Sequence, residues 1–180
     1  MRVRTLSLQH EPLDIDDIIS VAGSGANELI VESMNDVLSC WEGTRYGSGQ
    51  RCRGVLADCV GFVFGAIDDI DGRSRAQSPS MPADVALHDH RNSQVALQAL
   101  RDLYQPVHTV DYRRVQPFDI LVVGPEGAGP SHVMLVGTSP SHLWHCTPGA
   151  GVHRAGWSLG TGYETLHGAF RVGDRWRWLR

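Results

Sequence analysis

From Val60 the apolar residues recur at Val60, Val63, Phe64 and Ile67, the i, i+3, i+4, i+7 spacing of one helix face. Gly61 and Gly65 stand four apart on a neighbouring stripe, where missing side chains let a helix press close against another element. Asp58 is a good N-cap residue, so Cys59 takes the first helical position, and Asp68, Asp69 and Asp71 with Gly72 are expected to end the helix. Upstream, Leu29, Ile30, Met34, Val37, Leu38 and Trp41 carry a second helical pattern, which residues 43–49 end, beginning a flexible loop that leads to the cysteine helix. A third helix places Val95, Ala96, Ala99, Leu100, Leu103 and Tyr104 on one face and stops at Pro106. The second half changes period. Short apolar runs at 120–123, 132–136 and 142–146 read as strands, with further strands at 151–154 and 168–172.

Two of these strands bring imidazoles together. With a two-residue turn at Thr138-Ser139, Gly137 pairs with Pro140 and His132 sits directly opposite His145. Such partners lie about 4.5–5.5 Å apart at Cβ. A longer loop would shift this register by a residue or two. His142 has the opposite strand parity to His145, and it and His153 are read as structural or exposed.

The remaining segments narrow the picture. The 180 residues suffice for one domain with a core, taken as 23–180 behind an extended arm over 1–22. A net charge of −4 with 20% charged residues argues against nucleic acid as a partner. There is no apolar run of membrane-spanning length, hence no expected membrane insertion. Arg2 and Arg4 are followed by Gln9, His10, Glu11 and Asp14, which leaves no signal-peptide core and implies a protein made in a cytoplasm. Cys40, Cys52, Cys59 and Cys146 contain no C-x-x-C pair, so neither a zinc knuckle nor a disulfide framework is expected. His88-Asp89-His90 lacks a third metal ligand by spacing, and the Asp68, Asp69, Asp71 trio reads as solvated acids at a helix exit. The alternating Arg/Trp tail over 171–180 reads as a terminal strand with one face packed.

Cys59 at a helix start feels unpaired backbone N–H groups and the positive end of the helix dipole, which favour thiolate. The same residue also fits a small buried hydrophobe. A histidine opening a later strand and a polar residue on the next strand complete a nucleophilic arrangement in which one imidazole takes the thiol proton and the third group fixes its tautomer.

In order and spacing, these segments resemble the NlpC-type family of papain-like cysteine peptidases of the bacterial cell wall, over about 27–180. Within it they resemble most the subgroup of phage-tail and gene-transfer-agent clusters. Gly43-Thr44-Arg45-Tyr46 is similar to the family's glycine–small–proline–tyrosine segment, with Arg45 in place of proline. Asp58-Cys59-Val60-Gly61-Phe62-Val63 resembles the nucleophile motif, with Val60 where serine is usual. Pro117-Phe118-Asp119-Ile120-Leu121 resembles the proline–glycine–aspartate strand entry, with Phe118 in place of glycine. Ser131-His132-Val133-Met134-Leu135-Val136-Gly137 is similar to the histidine strand, and Trp144-His145 followed by Gly151-Val152 to the strand bearing the third polar residue. His167-Gly168-Ala169-Phe170-Arg171 resembles the closing segment of the phage subgroup.

The resemblance implies an α+β papain-like fold, with N-terminal helices, including the nucleophile helix, packed on an antiparallel sheet. It implies Cys59 as nucleophile, His132 as general base and then acid, and His145 as the group orienting His132. The Cys59 N–H would serve an oxyanion hole with the Tyr46 hydroxyl nearby, and Asp58 would face the free amine of a stem peptide. No cofactor or metal is implied. The implied substrate is the peptidoglycan stem peptide, cut between D-glutamate and a diamino acid; the implied partners are tail-tip or hub proteins, and the place is the virion tail. Three readings compete. One is a tail-tip or baseplate component that keeps the fold with little hydrolysis. Another is a papain-like amidase or acyltransferase, disfavoured because permuted acyltransferases place histidine before cysteine. The third is a Cys/His metal site, which metal analysis of the purified protein would exclude.

Overall fold

Leu38 and Trp41 of the upstream helical pattern are buried in a helix described over residues 34–41 (α1). The computed structural model describes residues 34–71, 90–107, 115–125, 127, 129–139, 142–156 and 165–172. The 1–22 arm, Leu29 and Ile30 of the first helical pattern, His88 and Asp89, and the Arg/Trp tail beyond Val172 lie outside these residues.

Residues 43–57, expected as a flexible loop, instead form a small sheet. Its strands are β1 (Arg45–Tyr46), β2 (Arg51–Cys52) and β3 (Leu56–Ala57), in the order β1-β3-β2. Strands of two residues are too short to show a period of two. Gly43, Gly49 and Gly54 adopt positive φ, and Gly47 N–H donates to the Ala57 carbonyl at 2.9 Å, closing the turns.

The cysteine helix α2 (Cys59–Ile70) starts as the sequence indicates. Asp58 has extended φ/ψ and its Oδ1 accepts from Gly61 N–H at 2.7 Å. The helix is buried nearly all round: Phe62, Val63, Phe64, Ala66 and Ile67 are in the core, whereas Val60, on the expected apolar stripe, is half-buried. It ends where the sequence indicates, with Asp68 and Asp69 in the last turn and Asp71 as the C-cap, but the acids are not simply solvated. Acids there oppose the helix dipole, so they are not left to solvent. Arg51 pairs with Asp68 and donates to the Phe64 carbonyl at 2.8 Å, while Arg53 pairs with Asp69 at 2.9 Å and Trp41 Nε1 donates to Asp69 at 2.8 Å. Two arginines from the β2 region thus supply the positive charge that the helix's own last turn lacks.

α3 (His90–Leu103) ends before Pro106, as expected. Leu97 and Leu100 are its buried contacts, whereas Leu103, assigned to the buried face, is 39% exposed. Pro106 lies in the edge strand β4 (Gln105–Pro106), where a missing N–H is tolerated. The main sheet adds β5 (Ile120–Gly124), β6 (His132–Val136), β7 (His142–Thr147), β8 (Gly151–Gly156) and β9 (Thr165–Arg171), in the order β4-β9-β5-β6-β7-β8 with every pairing antiparallel. One face carries Ile120, Val122, Val133, Leu135, Trp144, Cys146 and Phe170 into the core shared with α1 and α2. The other buries Leu121, Val123, Met134, Val136, Leu143 and Ala169.

Phe118, standing where the resembled family has glycine, has φ 67, a left-handed value that costs a non-glycine residue about 1–2 kcal/mol. Its ring is 1% exposed, and truncating a buried Phe costs about 3–5 kcal/mol. Packing therefore outweighs strain. Phe118→Gly is expected to lower stability by about 2–3 kcal/mol, and Phe118→Ala by about 1 kcal/mol more because alanine keeps the strain. Denaturant midpoints of the two variants decide this; a glycine variant as stable as the parent would contradict it. Next to it, buried Asp119 accepts from Gln116 N–H and takes a two-point contact from Arg171, tying the entry of β5 to the end of β9.

Candidate active site

The β6–β7 hairpin is longer-looped than the sequence reading assumed. Gly137 N–H donates to the His142 carbonyl at 2.8 Å and His142 N–H to the Ser139 carbonyl at 2.9 Å, so four residues make the connection. Leu135 pairs with Trp144 and Val136 with Leu143, a shift of two from the expected register, and His132 is not directly opposite His145. An even shift keeps side chains on the same face. The two rings therefore still meet, with His132 Nε2 and His145 Nδ1 at 3.0 Å and centroids 5.2 Å apart.

His153, read from sequence as structural or exposed, belongs to the same group. It is the direct cross-strand partner of His145, with ring centroids 4.3 Å apart, and its Nδ1 lies 3.0 Å from the Gly151 carbonyl. The sequence reading has both strands, at 142–146 and 151–154, but not the register that pairs them. His142 is exposed, as its parity indicated.

Around the sulfur stands a second group. Cys59 is 1% exposed in the core at the start of α2. Asp58 beside it is also buried, and its two carboxylate oxygens accept from Gly61 N–H and, at 2.6 Å, from Gly49 N–H. Alternation along β7 turns Cys146 away from the side of His145, and its thiol donates to the Ala57 carbonyl at 3.1 Å. The sequence reading gave Cys146 no role near Cys59; its offset of one from His145 was the available signal. Tyr46 is half-buried against this core, and its phenol is raised first by burial and then by Cys59, Asp58 and Cys146. The structure thus places Tyr46, Asp58 and Cys59 together. The Val133 N–H, one residue after His132, hydrogen-bonds the Cys59 sulfur and links this group to the start of β6.

Burial dominates the charge state of Cys59. It pushes the thiol up to about 12, against the lowering by Val133 and Val60 N–H, with Asp58 and Cys146 adding to the rise. The expectation of a thiolate favoured by the helix start is therefore corrected: desolvation outweighs a helix N-terminus when the sulfur is buried in the core. At neutral pH the resting group is a thiol.

His145 is shifted the other way, to about 4, because burial disfavours the charged ring and His153 faces it. The folded chain then takes up this proton less readily than the unfolded chain. The associated stability is present above the ordinary value of 6.5 and is lost as pH falls through about 4. The loss is on the order of 3 kcal/mol at most. Thermal unfolding from neutral pH down to pH 4 should fall less steeply for His145→Asn than for the parent; equal slopes would remove His145 as the cause.

Among the described residues, no group of three His, Cys, Asp or Glu side chains is arranged to hold a metal ion, all four cysteines are free, and no helix is long and apolar enough to cross a membrane.

Solved structures share this fold. NlpC2 from Trichomonas vaginalis superposes with a TM-score of 0.55 at 15% identity, over 84% of this chain and 49% of its own. The NlpC/p60 domain of the peptidoglycan hydrolase SagA gives 0.51 at 16% identity, over 78% of this chain and 97% of that domain. A Staphylococcus aureus protein of the NLP/P60 family, similar to a lipoprotein, gives 0.51 at 20% identity, over 81% of this chain and 42% of its own. The fold is the papain-like α+β fold of NlpC/P60 domains. The chain spans about half the length of Trichomonas vaginalis NlpC2. No protein-family model and no curated protein matches the chain.

Proposed function

We propose that this protein is a cysteine endopeptidase of peptidoglycan stem peptides, carried on a phage tail, with Cys59 as nucleophile, His132 as base and His145 as the group that orients His132. The observation that carries the reading is the 3.0 Å His132–His145 contact on strands that flank a helix-start cysteine within the NlpC/P60 fold. The SagA domain belongs to a peptidoglycan hydrolase, which supports a cell-wall substrate. The tail location and the D-glutamyl–diamino acid bond rest on the motif resemblance, including His167 to Arg171.

For His132 to act as base through Nδ1, its proton sits on Nε2 and is donated to His145 Nδ1. A neutral His145 suits that acceptor role. Because Cys59 rests as a thiol, its proton passes to His132 as sulfur attacks the amide carbon. The C–N bond then breaks, His132 returns the proton to the leaving amine, and water hydrolyses the thioester. The Cys59 N–H, at the first position of α2, is free of intrahelical pairing and suits the oxyanion. Both Asp58 oxygens are already engaged, Oδ1 by the Gly61 N–H of the helix and Oδ2 by the Gly49 N–H of the preceding loop, so a stem-peptide amine would share a carboxylate that backbone N–H groups hold in place.

Mass spectrometry of defined muropeptides incubated with the protein tests the proposal. Release of a dipeptide carrying a free diamino-acid amine supports both reaction and bond. One observation favours a second reading: Cys59 is 1% exposed and must be uncovered before it can react. No release from several stem types would favour a tail component that keeps the fold without hydrolysis.

A further inference from the structure

We propose that His153 is a positioning residue of this site, a third imidazole that pins the ring of His145 and through it the orientation of His132. The inference deepens the peptidase reading and rests on it. Three contacts carry it. His153 is fixed from below, its Nδ1 donating to the Gly151 carbonyl at 3.0 Å. Gly151 has φ +70 and packs so closely on the Thr44 carbonyl that a Cβ would run into it, and the next residue, Val152, donates its N–H to that carbonyl at 2.8 Å, which ties the anchor to the segment before β1. His153 then lies against His145 with centroids 4.3 Å apart and planes at 46°. His145 in turn reaches His132 at 3.0 Å.

His145 has no other anchor in view. Its Nδ1 is engaged by His132, and its Nε2 is buried with no hydrogen-bond partner among the described residues. A ring held by one hydrogen bond can rotate about χ2 unless packing stops it. His153 supplies that packing on one side. The titratable groups facing His145 are His132 from β6 and His153 from β8; on its own strand, Cys146 turns toward Ala57, and from β1, Tyr46 lies with Cys59 and Asp58 around Cys146. A second imidazole at this distance also disfavours a charge on His145, in line with its lowered pKa.

The test uses the full chain, labelled with nitrogen-15, as parent, His153→Phe and His153→Ala. Imidazole nitrogen shifts report the tautomer and titration midpoint of His145, and muropeptide turnover reports kcat and KM against pH. In His153→Phe a ring remains, so the His145 tautomer should persist and its midpoint should rise only by the smaller share that His153 contributes, burial being the main cause of its lowering, with the acid limb of kcat moving up by the same amount. In His153→Ala the single tautomer should give way to exchange, with kcat about ten-fold lower at unchanged KM, an amount within the usual contribution of general acid–base catalysis. Partial recovery in His153→Phe separates ring packing from simple misfolding. An unchanged tautomer and midpoint in His153→Ala would overturn the proposal. Absence of turnover in the parent would instead count against the peptidase reading, and the nitrogen shifts would still decide the role of His153.

Discussion

Cys59→Ala is expected to lower muropeptide turnover by about ten-thousand-fold or more, the scale seen when a nucleophile is removed from a catalytic unit. The remaining fold, helix N-terminus and imidazole pair cannot form a thioester. Stability should change little, because Cys59 acts in the fold as a small buried group at the start of α2 and alanine fills most of its volume. Cys146→Ala provides the contrast. It removes an equally buried thiol and its 3.1 Å bond to the Ala57 carbonyl, yet it should retain turnover within a few-fold. The measurement is product release by mass spectrometry beside thermal unfolding of each variant. Hydrolysis that survives in Cys59→Ala would place the chemistry elsewhere. Equal loss in both variants, with both folded, would mean the pair of thiols and not Cys59 alone is required.

Gly61→Ala should destabilise the protein by about 3 kcal/mol, at the upper part of the range for overpacking, and lower the melting temperature by about 6–12 °C for a chain of this size. Alanine is the better helix former by about 1 kcal/mol, so propensity alone predicts the opposite sign. Sterics decide. A Cβ on Gly61 would collide with the Gln50 carbonyl, a backbone atom that also accepts from Asp58 N–H at 3.1 Å. The collision cannot be relieved by rotating a side chain, and moving Gln50 disturbs Asp58 next to the nucleophile. Gly65→Ala meets the Trp41 indole and should also be costly. Gly156, with open space around it, should accept alanine at almost no cost. Melting curves of the three variants give the ranking, and a Gly61→Ala variant that melts with the parent would show that the two elements can separate freely.

The close approach at Gly61 and Gly65 was legible because small residues spaced four apart lie along one stripe of any helix. The capping of α2 by Asp58 was legible for the same reason: a cap is a contact within three residues. The extent of the main strands was largely visible too, although β9 begins three residues before the expected start and ends at Arg171. The three short strands over 45–57 were hidden, since pairs of residues carry no period and their partners are set by turns.

Residue order settles what is local: the helices and the longer strands, where α2 starts, that its first residue is a cysteine, and that His132 and His145 share a sheet face even when their register moves by two. The rest depends on distance in space. The hairpin loop set the actual register, the β7–β8 pairing carried His153 onto His145, and Arg51 and Arg53 reached the acids at the end of α2. Burial, which is a property of the assembled core, made Cys59 a thiol where the helix dipole alone favoured thiolate. Contacts within a turn of chain are fixed by residue order; solvation and cross-strand pairing arise only when distant segments meet.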